Sequence, residues 1–215
     1  MAASAHPLPK PLHFEYTPMI GVYTRLRRLV LGISLFYVTA WLPLAFVVYL
    51  PTWYHLSCHW NPRCEVLGEA RTTQAVTELT RFFRHAGSLE TRWSAKERQH
   101  LAEVRTIYDR LALGAVFALA GLVLSFECRT ARCAALVNVV LVAAVLVVIP
   151  VFRPFWMNVF HPLLFDNQLW RTNRFDLTWY ITPVVYFQWT IVFLVGAVVA
   201  LNLGVWLLCR RRAQS

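Results

Sequence analysis

Four long apolar runs constrain the fold of this chain more than any other feature of its sequence. They extend from Leu29 to Leu50, from Leu111 to Phe126, from Ala134 to Phe152 and from Thr182 to Leu208. A helix needs roughly 17–25 residues to cross the hydrocarbon core of a bilayer, and the second run reaches that length when Ile107 and Tyr108 extend it. The hydrophobic fraction of 58% also exceeds the roughly 45–50% of soluble domains. The sequence therefore predicts an all-α integral membrane protein with four transmembrane helices.

The arginines that flank these runs predict their orientation, because cytoplasmic loops carry an excess of Lys and Arg. Arginines precede the first run, separate the second from the third and follow the fourth: Arg25, Arg27, Arg28; Arg129, Arg132; Arg210, Arg211, Arg212. We expect both termini in the cytoplasm, with residues 1–28 as a cytoplasmic segment and 209–215 as a basic tail. Residues 29–208 then form the transmembrane domain, and its outer loops, 51–106 and 153–181, form a cap on the outer face.

The net charge of +10 does not require a nucleic-acid partner. Much of the excess marks the cytoplasmic side, and basic residues there also attract anionic lipid headgroups. We therefore expect membrane lipids as neighbours and no binding of nucleic acid.

Two of the five cysteines, Cys58 and Cys64, lie in the first predicted outer loop. In an oxidising compartment they are candidates for a disulfide. Free thiols remain an alternative, as does a zinc site that adds His55 and His59, although the spacing matches no usual structural zinc pattern.

A helix that carries His100 is predicted to run from the first outer loop into the second apolar run. The segment from Ser94 to Glu97 matches a capping box, in which Ser at the N-cap and Glu at N3 satisfy free backbone N–H groups. Glu97 and Glu103 lie three residues before and after His100, so that each shares a helix face with it. Either carboxylate is a candidate to orient the imidazole, and an ordinary charged helix surface is the alternative. An earlier helix is expected from Thr72 to His85.

A second histidine, His161, follows the third apolar run and lies in an aromatic segment that includes Phe160, Phe165 and Trp170. In a four-span topology His100 and His161 lie at the same membrane surface. Histidine is the side chain whose charge changes most readily near neutral pH, so the pair is a candidate site for chemistry on a lipid-like substrate. An aromatic interfacial belt with one buried histidine is the alternative.

The chain resembles the bacterial lipoprotein intramolecular transacylases. The resemblance rests on the four spans, on the motif Glu-x-x-His-Leu-x-Glu-Val-Arg before the second span, and on Phe-His-Pro-Leu-Leu-Phe followed by Trp after the third. It covers the chain from about Arg25 to Leu208, and the second motif is the more specific. By this resemblance His100 and His161 are the catalytic residues. We expect Glu97, Glu103, Phe160, Phe165 and Trp170 to be supporting or substrate-binding residues.

The resemblance implies a specific reaction in the bacterial cytoplasmic membrane. Such an enzyme moves an ester-linked acyl chain of a diacylglyceryl-cysteine lipoprotein onto the α-amine of the same molecule, and the product is the lyso-form. The active site is expected on the outer face, with no cofactor and no metal. Because the substrate supplies the nucleophile, no Gly-x-Ser-x-Gly motif is required, and the sequence contains none.

The residues allow a mechanism and leave alternatives open. Ester-to-amide transfer needs a base for the amine and an acid for the departing glycerol oxygen. We expect His100 to act as the base, and His161 to stabilise the oxyanion or form a transient acyl-imidazole. Other interpretations are a different lipid-modifying acyltransferase, a non-enzymatic four-span protein, a thiol oxidase and a bis-histidine haem protein. The thiol oxidase lacks its Cys-x-x-Cys pair here.

Overall fold

The computed structural model of the protein describes the backbone of residues 17–212 and the side chains of residues 21–211. Within this range all regular structure is helical. Four of the helices are long and apolar enough to cross a membrane, which confirms the fold class. Residues 1–16 of the predicted N-terminal segment and 213–215 of the predicted tail lie outside the described residues. The described parts of both segments belong to the first and last helices, because helix α1 spans Thr17–Tyr49 and helix α10 spans Val184–Arg212.

Helix α1 packs against the three other long helices, which are α5 (Ala95–Ser125), α6 (Cys128–Ala144) and α10. Three buried polar side chains join α1, α6 and α10 at one level. Asn138 Nδ2 donates to Asn202 Oδ1 at 3.2 Å, and Asn202 Nδ2 donates to Thr39 Oγ1 at 3.0 Å. Side-chain hydrogen bonds between helices stabilise packing in a lipid environment. The two asparagines that interrupt the apolar runs therefore hold these helices together.

Small residues set the contact between α1 and α5. Tyr37 hydroxyl donates to the carbonyl of Leu111 at 2.9 Å. A Cβ on Gly114 would collide with the Tyr37 hydroxyl, and a Cβ on Gly121 would lie 2.7 Å from Ser34 Oγ. Close approach of two membrane helices favours such small residues, so the glycines fix the position of the helix that carries His100.

The flanking arginines meet at one end of the helix bundle. Arg27 Nη2 donates to the carbonyl of Phe126 at 3.3 Å. Arg132 and Arg210 both contact the ring of Trp206, with their guanidinium carbons 5.7 and 5.4 Å from its centre. Arginines from before the first span, between the second and third, and after the fourth thus share one end of the molecule.

The third span is longer than the sequence indicates. Helical structure continues beyond α6 through a 3₁₀ segment (Val145–Val151), helix α7 (Phe152–Phe155), a π-helical turn (Trp156–Phe160) and helix α8 (His161–Leu164). The predicted loop 153–181 therefore begins as helix, and its irregular part starts at Phe165. Pro150, Pro154 and Pro162 lie in this stretch, and each lacks the amide N–H of the normal helical ladder, which favours departures from a regular α-helix.

The first predicted outer loop forms three helices, α2 (Pro51–Cys58), α3 (Pro62–Leu67) and α4 (Glu69–Phe83). Helix α4 covers most of the helix expected at Thr72–His85, starting three residues earlier and ending two residues earlier, and His85 beyond it has a φ of 57°. Cys58 and Cys64 form a disulfide with a Cα–Cα distance of 5.5 Å. These helices pack on the start of α5, on α9 (Leu177–Ile181) and on the start of α10, around a core of large apolar side chains: Trp53, Tyr54, Val76, Leu79, Phe83, Trp93, Leu101, Ile181 and Tyr186.

Candidate active site

A cavity of about 700 Å³ lies between the helices α2–α4, the start of α5 and the end of the third span. This volume is typical of sites for small molecules. Most of its walls are apolar or aromatic: Tyr54, Leu79, Phe83, Leu101, Val104, Ile107, Trp156, Met157, Phe160, Leu164, Phe165, Trp170, Trp179, Pro183, Val184, Tyr186 and Phe187. The titratable side chains on the walls include both His100 and His161. The two histidines chosen from the sequence thus face one cavity.

His100 reaches the cavity from a regular helix. The capping box predicted at Ser94 and Glu97 is present, and α5 runs unbroken from Ala95 to Ser125. His100 Nδ1 lies 3.6 Å from Glu103 Oε2 on the next turn. Both atoms are buried, and neither has a hydrogen-bond partner among the described residues. Since a carboxylate only accepts, it favours a proton on Nδ1 and leaves a lone pair on Nε2 of the neutral His100 ring.

His161 is held by the backbone of its own distorted helix. Its Nδ1 donates to the carbonyl of Trp156 at 2.9 Å. The π-helical turn brings a carbonyl five residues earlier in the chain within hydrogen-bond distance of Nδ1, and such turns are frequent at functional sites. The carbonyl can only accept, so the neutral ring carries its proton on Nδ1 and a lone pair on Nε2. The structure gives Nε2 no partner among the described residues.

The two imidazole rings lie 6.3 Å apart between their centres. Phe165 contacts both, at 4.7 Å from the ring of His100 and 5.8 Å from that of His161. Trp170 stacks on His161 at 4.4 Å, and Phe160 packs at 5.5 Å from it. The structure therefore brings all three predicted aromatic residues to the histidine pair, where they restrict its rings and exclude water.

Asn167 connects the surroundings of the two histidines. Its Nδ2 donates to Glu103 Oε1 at 2.9 Å, which fixes the carboxylate that faces His100. Its main-chain carbonyl accepts from Trp170 Nε1 at 2.8 Å, which fixes the ring that stacks on His161. Its Oδ1 accepts from the amide of Leu169 at 3.0 Å and closes the turn.

Glu97 has a different place from Glu103, although both flank His100 in sequence. It is 2% exposed, and besides capping α5 it accepts from the amide and hydroxyl of Thr178 at 2.8 and 2.9 Å. Ser94 also donates to Asp176, at 3.0 Å. Glu97 therefore anchors the loop before α10 to the start of α5, and the structure shows no contact between it and His100.

Sequence reasoning did not select Trp156, Asn167 or Arg63 for the site. The roles of Trp156 and Asn167 depend on a main-chain carbonyl and on a distant side chain, neither of which leaves a spacing signal. Arg63 follows Pro62 between the two cysteines of the disulfide. Its position in that closed segment is the sequence signal that could have indicated a fixed side chain. Among the described residues, no group of three or more His, Cys, Asp or Glu side chains is arranged to hold a metal ion.

Comparison with known proteins identifies one family. The family described as lipoprotein intramolecular transacylase Lit matches residues 29–201. A solved structure of the membrane integral lipoprotein intramolecular transacylase Lit from Bacillus cereus has a TM-score of 0.65 at 18% identity, covering 90% of this chain and 95% of the other. A second structure of that protein, with a histidine-to-alanine mutation, has a TM-score of 0.74 at 16% identity, covering 92% and 98%. No curated protein matches the chain in sequence.

Proposed function

This chain belongs to the lipoprotein intramolecular transacylase family, and from that premise we propose that His100 and His161 together carry out the acyl transfer. The enzyme acts on a lipoprotein whose N-terminal cysteine bears a diacylglyceryl thioether and a free α-amine. A new amide bond forms between that amine and the acyl carbon, and the ester bond to glycerol breaks. The observation that carries the assignment is the convergence of both imidazoles, from separate helices, on one apolar cavity.

His100 acts as the base in this proposal. Its Nε2 removes the proton from the attacking amine and then returns it to the glycerol oxygen as the ester breaks. The imidazolium formed in between lies beside Glu103, whose carboxylate is 3.6 Å from Nδ1. An opposite charge at this distance stabilises the protonated ring. One proton thus passes from nitrogen to oxygen through one residue.

His161 positions the amine. Because its Nδ1 proton is committed to the carbonyl of Trp156, the neutral ring offers only a lone pair at Nε2. That lone pair suits acceptance of the second amine hydrogen, which directs the amine lone pair toward the ester carbon. The same neutral tautomer has no Nε2 proton to donate to an oxyanion, so of the two roles expected from the sequence, oxyanion stabilisation is disfavoured.

The cavity favours transfer over hydrolysis. Its apolar walls suit acyl chains, and the rings around the histidines exclude water from the reacting ester. Amine and ester belong to one bound molecule, so they react at a high effective concentration once both reach the site.

The protein is a bacterial membrane protein, and we place its cavity on the outer face. The support is the arrangement of charges: Arg27, Arg132 and Arg210 meet at one end of the bundle, and the positive-inside rule assigns that end to the cytoplasm. His100, before the second span, and His161, at the end of the third, then lie on the opposite side.

Mass spectrometry of N-terminal lipopeptides tests the function. The protein is expressed in a bacterium that lacks N-acylation of lipoproteins, beside His100→Ala and His161→Ala variants present at equal levels in the membrane. We expect one acyl chain to move from glycerol to the α-amine without a change in total mass, and only with both histidines present. Unchanged diacylglyceryl-cysteine termini in the presence of the wild-type protein would refute the assignment.

A further inference from the structure

The charged groups on the cavity wall do not match the lipid part of the substrate. Three arginines line the cavity, Arg63, Arg153 and Arg171, whereas no Asp or Glu does so among the described residues. The acyl chains and the glyceryl group carry no charge, and the α-amine is positive when protonated. A guanidinium can donate hydrogen bonds to the ester carbonyls, but no resting part of this substrate matches its positive charge, which suits an anionic group instead.

Arg63 is rigidly placed at this wall. Its guanidinium stacks on the ring of Trp179 at 3.5 Å and donates through Nη1 to the carbonyl of the same residue at 3.0 Å. Asn61, two residues earlier, donates to the carbonyl of Tyr180 at 2.7 Å, and the Cys58–Cys64 disulfide closes the segment that contains both residues. A guanidinium has five N–H donors, and the structure gives this one a single acceptor among the described residues.

Arg171 lies close to the histidine pair. Its guanidinium carbon is 5.2 Å from the centre of the Trp170 ring, and that ring stacks on His161 at 4.4 Å. Its main-chain carbonyl accepts from Lys96 Nζ at 2.7 Å, which fixes the backbone at this point. The neighbouring carboxylate, Asp176, is occupied by Lys96 at 2.7 Å. Arg171 is exposed, and the ring of Trp170 contacts both its guanidinium and His161.

On the basis of the proposed function, we infer that Arg63 and Arg171 form a subsite for the peptide that follows the acylated cysteine and that they select an acidic side chain there. The peptide must leave the cavity along its polar wall, because unpaired peptide groups are costly against apolar walls. Arg63 and Arg171 line the same cavity as both histidines, and Arg171 contacts the Trp170 ring that stacks on His161. A peptide that leaves the α-amine along this wall therefore passes the guanidinium groups.

Synthetic diacylglyceryl-cysteine peptides with a free α-amine test this inference. The residue after the cysteine is Asp, Ser or Lys, and kcat/KM for transfer is measured by mass spectrometry in vesicles of zwitterionic lipid. We expect the wild-type enzyme to prefer the Asp over the Lys peptide by roughly tenfold, equivalent to about 1.4 kcal/mol. The Arg63→Gln/Arg171→Gln variant should bring this ratio close to one, and Arg171→Glu should favour the Lys peptide.

Arg92→Gln serves as the matched control, because Arg92 is exposed and does not line this cavity; it should keep the wild-type preference. A wild-type ratio near one, or an unchanged ratio in the double variant, would overturn the inference. The measurement is repeated in vesicles with added anionic lipid; the inference would also be overturned if the arginine variants changed only the effect of that lipid on activity, since the guanidinium groups would then bind headgroups. The Ser peptide separates the two proposals: its failure to react would count against the transacylase assignment itself.

Discussion

His100 lies on a regular helix that runs unbroken from Ala95 to Ser125, whereas His161 lies near the end of a helix that changes type several times. A carboxylate on the next turn faces the Nδ1 of His100 at 3.6 Å. A main-chain carbonyl accepts from the Nδ1 of His161 at 2.9 Å, and Trp170 stacks on its ring. One imidazole is therefore supported by charge, and the other by backbone and packing.

This difference separates the proposed roles. A carboxylate stabilises a ring that becomes positive during the reaction, as a base must. A neutral carbonyl and aromatic rings fix the orientation and tautomer of a ring that stays neutral. Substitutions around His100 and around His161 should therefore lower activity by different amounts.

Loss of either imidazole should have the largest effect. His100→Ala should lower kcat by about 10²–10⁴-fold, the range for removal of a general acid or base, and His161→Ala by about 10²-fold, the loss expected when the reacting amine is misplaced, with the folded protein still in the membrane. Lipopeptide mass spectrometry gives the rate, and the double variant should be about as slow as the slower single variant because the residues act as a unit. Additive losses from the two single variants would argue that the histidines work independently.

Glu103→Gln should test whether the carboxylate beside His100 supports its role as base. The amide keeps the size of the side chain but removes the charge beside His100, so we expect kcat to fall about ten- to a hundredfold, or about 1.4–2.7 kcal/mol of transition-state stabilisation. KM should change little because Glu103 does not line the cavity. The exposed Glu65→Gln is the control. Full activity of Glu103→Gln would remove the electrostatic support for His100 as base.

The sequence predicted the helices correctly wherever the pattern that marks them lies within a single segment of the chain. Four apolar runs gave four long helices, and the Ser94–Glu97 capping box marked the start of the helix that carries His100. The end of the third span was not predictable in the same way. Pro154 and Pro162 indicate a loop when read by themselves, yet the structure accommodates them by changes of helix type because the chain on both sides stays helical.

The sequence predicted that His100 and His161 lie near each other, but it did not predict the partners of the side chains around them. Spacing on a helix placed Glu97 and Glu103 equally near His100, and only tertiary contacts separate them. Glu97 accepts a hydrogen bond from Thr178, and Glu103 accepts one from Asn167. Both donors are distant from the two carboxylates in sequence. The carbonyl of Trp156 has no signature at all, since every residue has one. Contacts between distant segments thus decided what the local pattern left equal.

Glu97→Gln should affect stability more than chemistry. Glu97 accepts hydrogen bonds from the amide of Ser94 and from the amide and hydroxyl of Thr178, and it shares the hydroxyl proton of Ser94 with Asp176. Hydrogen bonds to a charged group contribute about 1.5–3 kcal/mol, so we expect a comparable decrease in the free energy of unfolding and a lower Tm in detergent. The loss of kcat should be smaller than for Glu103→Gln. The reverse order would mean that Glu97 acts on His100 after all.

The disulfide should matter least to activity. The Cys58→Ser/Cys64→Ser variant lacks the cross-link, but Asn61 and Arg63 still bond to the carbonyls of Tyr180 and Trp179 and hold α3 against α9. We expect transfer within about twofold of the wild-type rate, or about 0.4 kcal/mol. Closing so short a loop should stabilise the oxidised protein by roughly 2 kcal/mol, so the variant should melt earlier than the oxidised wild type and at the same temperature as the reduced one. A tenfold loss of transfer would instead mean that α3 depends on the disulfide to shape the cavity. The helices α2–α4 would then support the two histidines in addition to the carboxylate at His100 and the carbonyl at His161.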